Sequence, residues 1–315
     1  MNKLIASAFF VLVSFYSFSQ IEPTQNYEEV VGKDKVKSIK MMYFTNEDTS
    51  TTVGCLYFKK EFNQKGQISQ KYMFTFWDVV SYDYTTSYKY DSLDRLIEEE
   101  SIQKILDLDE NDHKFIEELG ATPSNTKVTY AYDSTNHLIK EQHYSFGKDG
   151  FTEKIKPDNV LTYSYKNGLL IEEKSIRLSY GYIKNYTYDS KNRLIEEATN
   201  FDNKSMKKHQ TSYVYDKHDH LIEKKYEDLH MVKNNTHIKY EYNREGKKLK
   251  LFTYSTTQKK WLIVKNFNYN EQGFEIFDDE ETSFTYNSNG LIESELWKST
   301  SGKQVVYFVT TYEFQ

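Results

Sequence analysis

The segment YTYDSKNRLIEEATNF at residues 186–201 decides the fold, because the chain repeats it. Close copies are YKYDSLDRLIEEESIQ at residues 88–103 and YVYDKHDHLIEKKYED at residues 213–228. The second tyrosine of the Y-x-Y motif recurs at positions 188, 215, 242 and 269, which gives three consecutive steps of 27 residues. A constant period of this size indicates a repeat protein built from one supersecondary unit. Further copies are centred on Tyr90, Tyr132, Tyr165 and Tyr286, with a degenerate forerunner at Phe62.

The repeated unit has the pattern of a β-hairpin. Tyrosines at alternate positions place both rings on one face of a strand. An Asp or Asn follows the second tyrosine, and three residues later comes a residue that tolerates a left-handed backbone. The Asn167–Gly168 pair is the signal of a two-residue hairpin. The left-handed positions that this pattern predicts are Asp94, Asn136, Asn192, Asp219, Gly246, Gly273 and Gly290.

Two loop lengths fit this turn, and they bury opposite faces of the returning strand. A three-residue loop places the first apolar residue, such as Leu221, on the tyrosine side, whereas a four-residue loop places Ile222 there. Two units carry Lys248 and Glu275 at the first position but keep an apolar residue at the second. The sequence therefore favours the four-residue loop. In the shortened units that begin at Tyr165 and Tyr286, the predicted inner residues are Leu170 and Leu291.

A single hairpin is marginally stable in water, whereas stacked hairpins share a continuous core. We therefore predict an all-β fold in which tandem antiparallel β-hairpin repeats form an elongated curved sheet or open solenoid. Residues 20–315 form one repeat domain, with the repeats at about 60–315. A short helix is predicted near 110–119, and the final segment KQVVYFVTTYEFQ predicts a strand that closes or caps the array.

The first nineteen residues have the pattern of a secretory signal peptide. Lys3 precedes an apolar run, and Ser17 and Ser19 occupy the positions of a cleavage site that leaves Gln20 as the new N-terminus. The alternative, a membrane anchor, fits less well because the run is short and rich in serine. We expect an exported protein, in the periplasm, on the outer surface or secreted, with no transmembrane segment in the mature chain. Cys55, the single cysteine, cannot form an internal disulfide.

The charge pattern argues against a nucleic-acid partner. The chain has 41 Lys and Arg against 47 Asp and Glu, for a net charge of -6. The two signs are interspersed, whereas a nucleic-acid-binding protein carries a basic patch or stripe.

The pattern Y-x-Y-D-x-x-[GND]-R-L-I resembles the YD repeat of the RHS family. This resemblance implies a curled β-hairpin shell that is exported or surface-displayed, with links to carbohydrate binding, adhesion and toxin encapsulation. The chain has longer and less regular steps, and no cleavage core or toxin segment is recognisable after its repeats, so we do not expect toxin delivery. The residues that carry the likeness are Tyr88, Tyr90, Asp91, Arg95, Leu96, Tyr186, Tyr188, Asp189, Arg193, Leu194, Tyr213, Tyr215, Asp216 and Leu221.

Two groups of residues suggest chemistry but have simpler interpretations. His218–Asp219–His220 could hold a metal, yet these residues fall at turn positions of the repeat and lack a third ligand nearby. The pairs Glu172–Glu173 and Glu196–Glu197, and Glu98–Glu99–Glu100, could be the paired carboxylates of a glycosidase. They recur on the returning strand, where solvent-facing positions and protection of sheet edges explain them. We therefore assign no catalytic, cofactor-binding or metal-binding residue.

The best ligand candidates are Trp261 and Trp297, because they lie outside the repeated motif and indole rings can stack on sugars. We expect a non-enzymatic binding or adhesion module of a Gram-negative cell envelope that contacts polysaccharide or another envelope protein. The alternative is a purely structural or scaffolding envelope protein. A glycan-active enzyme is the third and least favoured class.

Overall fold

The computed structural model describes residues 36–44, 55–77, 80–105, 125–146, 156–177, 180–203, 208–228, 235–269, 275–276, 282–286, 292–298 and 305–314. The predicted signal peptide and the short helix predicted near 110–119 lie outside these residues. All regular elements in the described segments are β-strands, which confirms the prediction of an all-β fold of consecutive antiparallel hairpins. In these segments there is no helix of the length and apolarity needed to cross a membrane.

The strands, in chain order, are β1 (Val36–Phe44), β2 (Cys55–Phe62), β3 (Ile68–Trp77), β4 (Val80–Tyr90), β5 (Leu96–Ile105), β6 (Asn125–Tyr132), β7 (Leu138–Phe146), β8 (Asn159–Lys166), β9 (Leu169–Arg177), β10 (Tyr182–Tyr188), β11 (Leu194–Phe201), β12 (His209–Tyr215), β13 (Leu221–Asp228), β14 (Thr236–Tyr242), β15 (Lys248–Ser255), β16 (Lys260–Asn266), β17 (Asn268–Tyr269), β18 (Glu275–Ile276), β19 (Thr282–Tyr286), β20 (Ile292–Lys298) and β21 (Val305–Phe314).

The chain divides into two compact units, and the single domain over 20–315 stays a prediction. The first unit comprises residues 1–128, 145–155 and 278–315. Its antiparallel ladder runs β19–β20–β21–β1–β2–β3–β4–β5, so the last strand of the chain pairs with the first. The final strand therefore lies inside this ladder, paired with β20 on one side and β1 on the other, and not at its end, where a capping strand was expected. The core of this unit is built around Ile39 and Phe62, on which Ile68 and Tyr312 pack.

The second unit comprises residues 129–144 and 156–277. Its strands β7 to β16 pair in chain order, each antiparallel to the next. The short strands β17 and β18 form a separate two-stranded pair. This part of the chain contains the repeats with the 27-residue period, and it is a succession of hairpins, as the repeat predicted.

The turn of each hairpin is built by its first Asp or Asn. In the β10–β11 hairpin, Asp189 accepts hydrogen bonds at Oδ1 from the backbone N–H groups of Lys191 (2.8 Å) and Arg193 (3.0 Å). The backbone N–H of Asn192 donates to the carbonyl oxygen of Asp189 at 3.0 Å, and Asn192 has a φ of 62°. The predicted left-handed residues Asp94, Asn136, Asn192, Asp219 and Gly246, and the Asn167–Gly168 pair, all have positive φ; Gly273 and Gly290 lie outside the described residues.

The predicted four-residue loop is wrong. Tyr215 lies opposite Leu221, the first apolar residue, so the loop has three residues. The carboxylate at the start of the turn causes this, because Asp216 Oδ1 accepts the N–H groups of His218 and His220 and closes the turn tightly. A β-bulge follows, and the next pair along the strands is Val214 opposite Glu223. The rest of the hairpin therefore keeps the register that a four-residue loop would have given.

Lys248 explains why the sequence favoured the wrong loop. It lies opposite Tyr242, in the inner position that Leu221 occupies one hairpin earlier. Lys248 is exposed, and its Nζ is 5.1 Å from the ring centroid of Tyr240, so the ammonium lies over an aromatic face. Leu249, which the four-residue loop would have buried, is 39% exposed.

The two shortened units have different outcomes. Leu170 lies opposite Tyr165, as predicted. At the other unit the prediction is wrong, because Ile292 lies opposite Tyr286 where Leu291 was expected. That unit has the same spacing of six residues between its tyrosine and its inner residue as the 27-residue repeats.

Candidate functional site

The Y-x-Y tyrosines define one face of the sheet, here called the tyrosine face, and the other side is the opposite face. In six of the hairpins, the second tyrosine donates its hydroxyl hydrogen to a backbone carbonyl of the preceding hairpin. Tyr215 reaches the carbonyl oxygen of Leu194 at 2.9 Å. The other pairs are Tyr90 with Ile68, Tyr165 with Leu138, Tyr188 with Leu170, Tyr242 with Leu221 and Tyr269 with Lys248, at 2.7–2.9 Å.

The first tyrosine of several hairpins binds a glutamate of the preceding hairpin. Tyr213 donates its hydroxyl hydrogen to Glu197 at 2.5 Å, and Tyr186 donates to Glu173 at 2.9 Å. Burial raises the pKa of Glu197, but hydrogen bonds from Lys184 and Tyr213 and the charges of Lys184 and Lys224 outweigh burial, and its pKa is lowered. Burial, and then the hydrogen bond to Glu197, raise the pKa of the Tyr213 hydroxyl.

These contacts correct the interpretation of the glutamate pairs. Glu173 and Glu197 were expected to face solvent, but they lie on the tyrosine face and accept tyrosine hydroxyls. Their neighbours in sequence lie on the opposite face, since successive residues of a strand alternate; Glu196, for example, accepts a hydrogen bond from Gln210 at 2.9 Å. The two carboxylates of a pair therefore point in opposite directions, whereas a glycosidase needs two that flank one bond.

His218, Asp219 and His220 occupy the turn between β12 and β13, as their position in the repeat predicted. His220 Nδ1 lies 3.1 Å from Asp216 Oδ2, and its ring stacks on Tyr242 with centroids 4.8 Å apart. Asp219 Oδ1 accepts from Arg193 Nη1 at 2.6 Å. Among the residues that the structure describes, no group of three or more His, Cys, Asp or Glu side chains is arranged to hold a metal ion.

Trp261, the first predicted ligand residue, lies at the centre of an aromatic cluster on the opposite face. It faces Tyr254 across the β15–β16 pair, with ring centroids 5.4 Å apart. His237 of β14 approaches the indole edge-on at 4.6 Å, and Lys239 Nζ lies 4.5 Å from the ring centroid. We call Trp261, Tyr254, His237 and Lys239 the Trp261 patch.

A carboxylate lies beside His237 and Lys239. Glu223 Oε1 is 2.5 Å from His237 Nε2, and Glu223 Oε2 is 3.7 Å from Lys239 Nζ. Ile263, which follows Trp261 on the same face, is 53% exposed. The patch therefore offers an indole, a phenol ring and hydrogen-bonding charged groups on a sheet surface, which is the combination that binds a sugar ring and its hydroxyls.

The other members of the patch were not found from the sequence. They come from two other strands, with Tyr254 on β15 and His237 and Lys239 on β14, and they meet Trp261 because β15 pairs with both β14 and β16. The alternation of strands β14 and β15 was the available signal, because it places His237 and Lys239 on the side away from the repeat tyrosines. Trp297, the second predicted ligand residue, lies on β20 opposite Thr282 and Val306; it belongs to the first unit, whereas Trp261 belongs to the second.

Comparisons with known proteins give structural similarity at low sequence identity. No family model matches the chain, and no curated protein matches it. A porin-like protein from Bacteroides uniformis is 12% identical with a TM-score of 0.38, over 88% of this chain and 98% of that chain. A porin-like protein from Bacteroides vulgatus is 9% identical with a TM-score of 0.24, over 89% and 99% of the two chains. A chain of the Photorhabdus luminescens Tc holotoxin pore is 14% identical with a TM-score of 0.37, over 84% of this chain and 17% of that chain.

Proposed function

We propose that this protein is an exported, non-enzymatic binding module of the cell envelope, and that the Trp261 patch is its contact with polysaccharide. The observation that carries this proposal is the convergence of Trp261, Tyr254, His237 and Lys239 on the face away from the repeat tyrosines. The tyrosine hydroxyls described above bind other parts of the fold, whereas these rings lie outside the repeated contact scheme.

The chemistry of the patch suits a pyranose ring. A sugar that stacks on the indole of Trp261 takes the place of the Lys239 ammonium, which moves aside on its flexible stem. Lys239 and His237 then donate to sugar hydroxyls, while Glu223 accepts from one. Stacking on an aromatic ring contributes roughly 0.5–1.5 kcal/mol beyond buried area, so a single site binds weakly and a long polysaccharide binds through several contacts.

A glycan array followed by calorimetry tests this proposal. The wild-type protein should retain one class of envelope polysaccharide, and Trp261→Ala should weaken its binding by about tenfold, the loss of about 1.4 kcal/mol. Val214→Ala is the matched control, because Val214 is 47% exposed on the same face of another hairpin and is not aromatic. An array without any retained glycan, or equal binding by wild type and Trp261→Ala, would refute the proposal.

The resemblance to the YD repeat of the RHS family supports the same proposal. The turn beginning at Asp189 and the spacing of Tyr186 and Tyr188 follow that pattern, and we propose that the chain is a divergent member of the family. The envelope location rests on the signal-peptide pattern of residues 1–19. Fractionation of cells that express the full chain tests the location, and recovery in the cytoplasm with residues 1–19 intact would contradict it.

The second candidate is a structural or scaffolding envelope protein. It is favoured by the use of Tyr213, Tyr215 and Glu197 to join one hairpin to the next, which gives the chain a regular internal framework. Two results together would favour this candidate: no glycan is retained on the array, and an envelope protein is pulled down equally well by the wild type and by Trp261→Ala. Cleavage of an array glycan would instead favour the glycan-active enzyme.

A further inference from the structure

The turns of successive hairpins are joined by an ion pair at the edge of the tyrosine face. Lys191 Nζ and Arg193 Nη1, in the turn between β10 and β11, both donate to Asp219 Oδ1 of the next turn, at 2.8 Å and 2.6 Å. Two cationic side chains of one turn therefore hold the carboxylate of the left-handed residue in the turn that follows.

One 27-residue step later, the same positions hold different residues. His218 and His220 replace Lys191 and Arg193, and Gly246 replaces Asp219. His220 stacks on Tyr242 as Arg193 lies over Tyr215, so the geometry of the two steps is otherwise alike. A Cβ atom on Gly246 would lie 2.8 Å from His220 Nε2, so the imidazole points at the place where the carboxylate is missing.

A pocket opens at this place. Its volume is about 470 Å³, and it is lined by His218, His220 and Tyr242 and by Arg244 and Glu245 of the following turn. Pockets of this order of size hold small ligands such as a sugar. The pocket lies at the turns, whereas the Trp261 patch lies on the opposite face of strands β14–β16.

We propose that this pocket binds the carboxylate of a sugar acid, and that protonation of the two histidines strengthens binding. The ligand carboxylate takes the place that the side chain of Asp219 has one hairpin earlier. His220 Nδ1 faces Asp216, so a protonated His220 donates to Asp216 with one nitrogen and to the ligand with the other. His218 and Arg244 complete the donor set, and Tyr242 supplies an apolar wall.

The charged groups around the histidines make the site sensitive to pH. Asp216 and Glu245 are negative and Arg244 is positive, while Lys247 lies 3.9 Å from Glu245. From the preceding turn, Lys191 and Arg193 are engaged by Asp219. The fixed charges therefore nearly cancel, and an imidazolium on either histidine would add the positive charge that attracts an anion.

Calorimetric titration with sodium glucuronate tests the site, with glucose as the neutral probe and acetate as the bare carboxylate. Glucuronate should bind at about pH 5.5 and at least about tenfold more weakly at about pH 8, because the donors are imidazolium groups. Glucose, which lacks the carboxylate, should bind more weakly than glucuronate, and any binding through the Trp261 patch should be lost in Trp261→Ala. Acetate binding as tight as that of glucuronate would indicate a general carboxylate site and overturn the sugar part of the proposal.

Three variants make the test specific. Gly246→Asp restores the missing carboxylate and has to displace the His220 imidazole, which would lie 2.8 Å from the added Cβ atom, so it should abolish glucuronate binding; Asp219 and Asp94 show that Asp adopts the required positive φ in this turn. His218→Gln, at an exposed side chain, should weaken binding and reduce its pH dependence, while the neighbouring Lys217→Gln should not. Trp261→Ala should leave glucuronate binding unchanged, which separates this site from the Trp261 patch. Equal binding by wild type, Gly246→Asp and His218→Gln would overturn the proposal.

Discussion

The hydroxyl of Tyr215 donates to the backbone carbonyl oxygen of Leu194 at 2.9 Å, and this contact joins two consecutive hairpins. The same bond recurs one period later between Tyr242 and Leu221 at 2.7 Å. A sheet made of hairpins with few fully buried side chains gains from such bonds, because each one ties a half-buried side chain to the neighbouring backbone. Together these bonds explain why the second tyrosine of the motif is the most constant feature of the repeat.

Removing one hydroxyl of this series should destabilise the fold. Tyr215→Phe leaves the carbonyl of Leu194 without its donor, and we expect a loss of about 0.5–1.5 kcal/mol in the free energy of unfolding, measured in urea. Tyr240→Phe is the control, because the hydroxyl of Tyr240 has no hydrogen-bond partner among the described residues. If both variants unfold at the same urea concentration as the wild type, the bond contributes nothing to stability.

The three-residue loop predicts which of two adjacent aliphatic residues matters more. Leu96 lies opposite Tyr90, whereas Ile97 is at the bulge and is 37% exposed. Leu96→Ala should therefore lower the melting temperature more than Ile97→Ala, since burial of an aliphatic side chain contributes roughly 1.5–3 kcal/mol when complete. The four-residue loop predicts the reverse order, so thermal unfolding of the two variants decides between them.

The turn carboxylates should make the fold sensitive to acid. The hydrogen bond from the Thr135 hydroxyl, together with those from the backbone of His137 and Thr135, lowers the pKa of Asp133 to about 2. An unfolded Asp has a pKa of about 3.9, so the stabilisation is complete above about pH 4 and is lost as the pH falls towards about 2. Asp133→Asn keeps the acceptor oxygen, as Asn243 does in its own turn, and should flatten the fall in melting temperature over this range. An unchanged slope would assign the acid sensitivity to other groups.

Gly246 tests the left-handed turn position. Its φ is +81°, and a β-branched side chain there is strained by roughly 1–3 kcal/mol. We expect Gly246→Val to lower the melting temperature more than Gly246→Asn, because Asn136 and Asn192 adopt this conformation in other turns; both variants also have to displace the His220 imidazole, which would lie 2.8 Å from the added Cβ atom. Lys217→Val, at an exposed position of a neighbouring turn, should have little effect. Equal melting temperatures for the Val and Asn variants of Gly246 would contradict the turn geometry.

The sequence predicted the hairpins, the turn positions and the tyrosine face, because each depends on local pattern. It did not predict the bulge after the inner residue, since Lys248 is charged and yet lies opposite Tyr242, in the position that Leu221 has one hairpin earlier. It identified Trp261 but not His237 or Tyr254, because their meeting depends on the pairing of three strands. The roles of Glu173 and Glu197 were also missed, since their partners are tyrosines of the following hairpin.

The central claim is that each second tyrosine bonds the inner carbonyl of the hairpin before it, and carbonyl NMR tests it most directly. Labelling with ¹³C-carbonyl leucine and ¹⁵N isoleucine selects the Leu–Ile peptide bonds, which include those after Leu138, Leu170, Leu194 and Leu221. Tyr215→Phe should shift the Leu194 carbonyl resonance upfield and leave the Leu138 resonance in place. Tyr165→Phe should shift the Leu138 carbonyl resonance upfield and leave the Leu194 resonance in place. A Leu194 resonance that does not move in Tyr215→Phe, or that moves equally in both variants, would contradict the account.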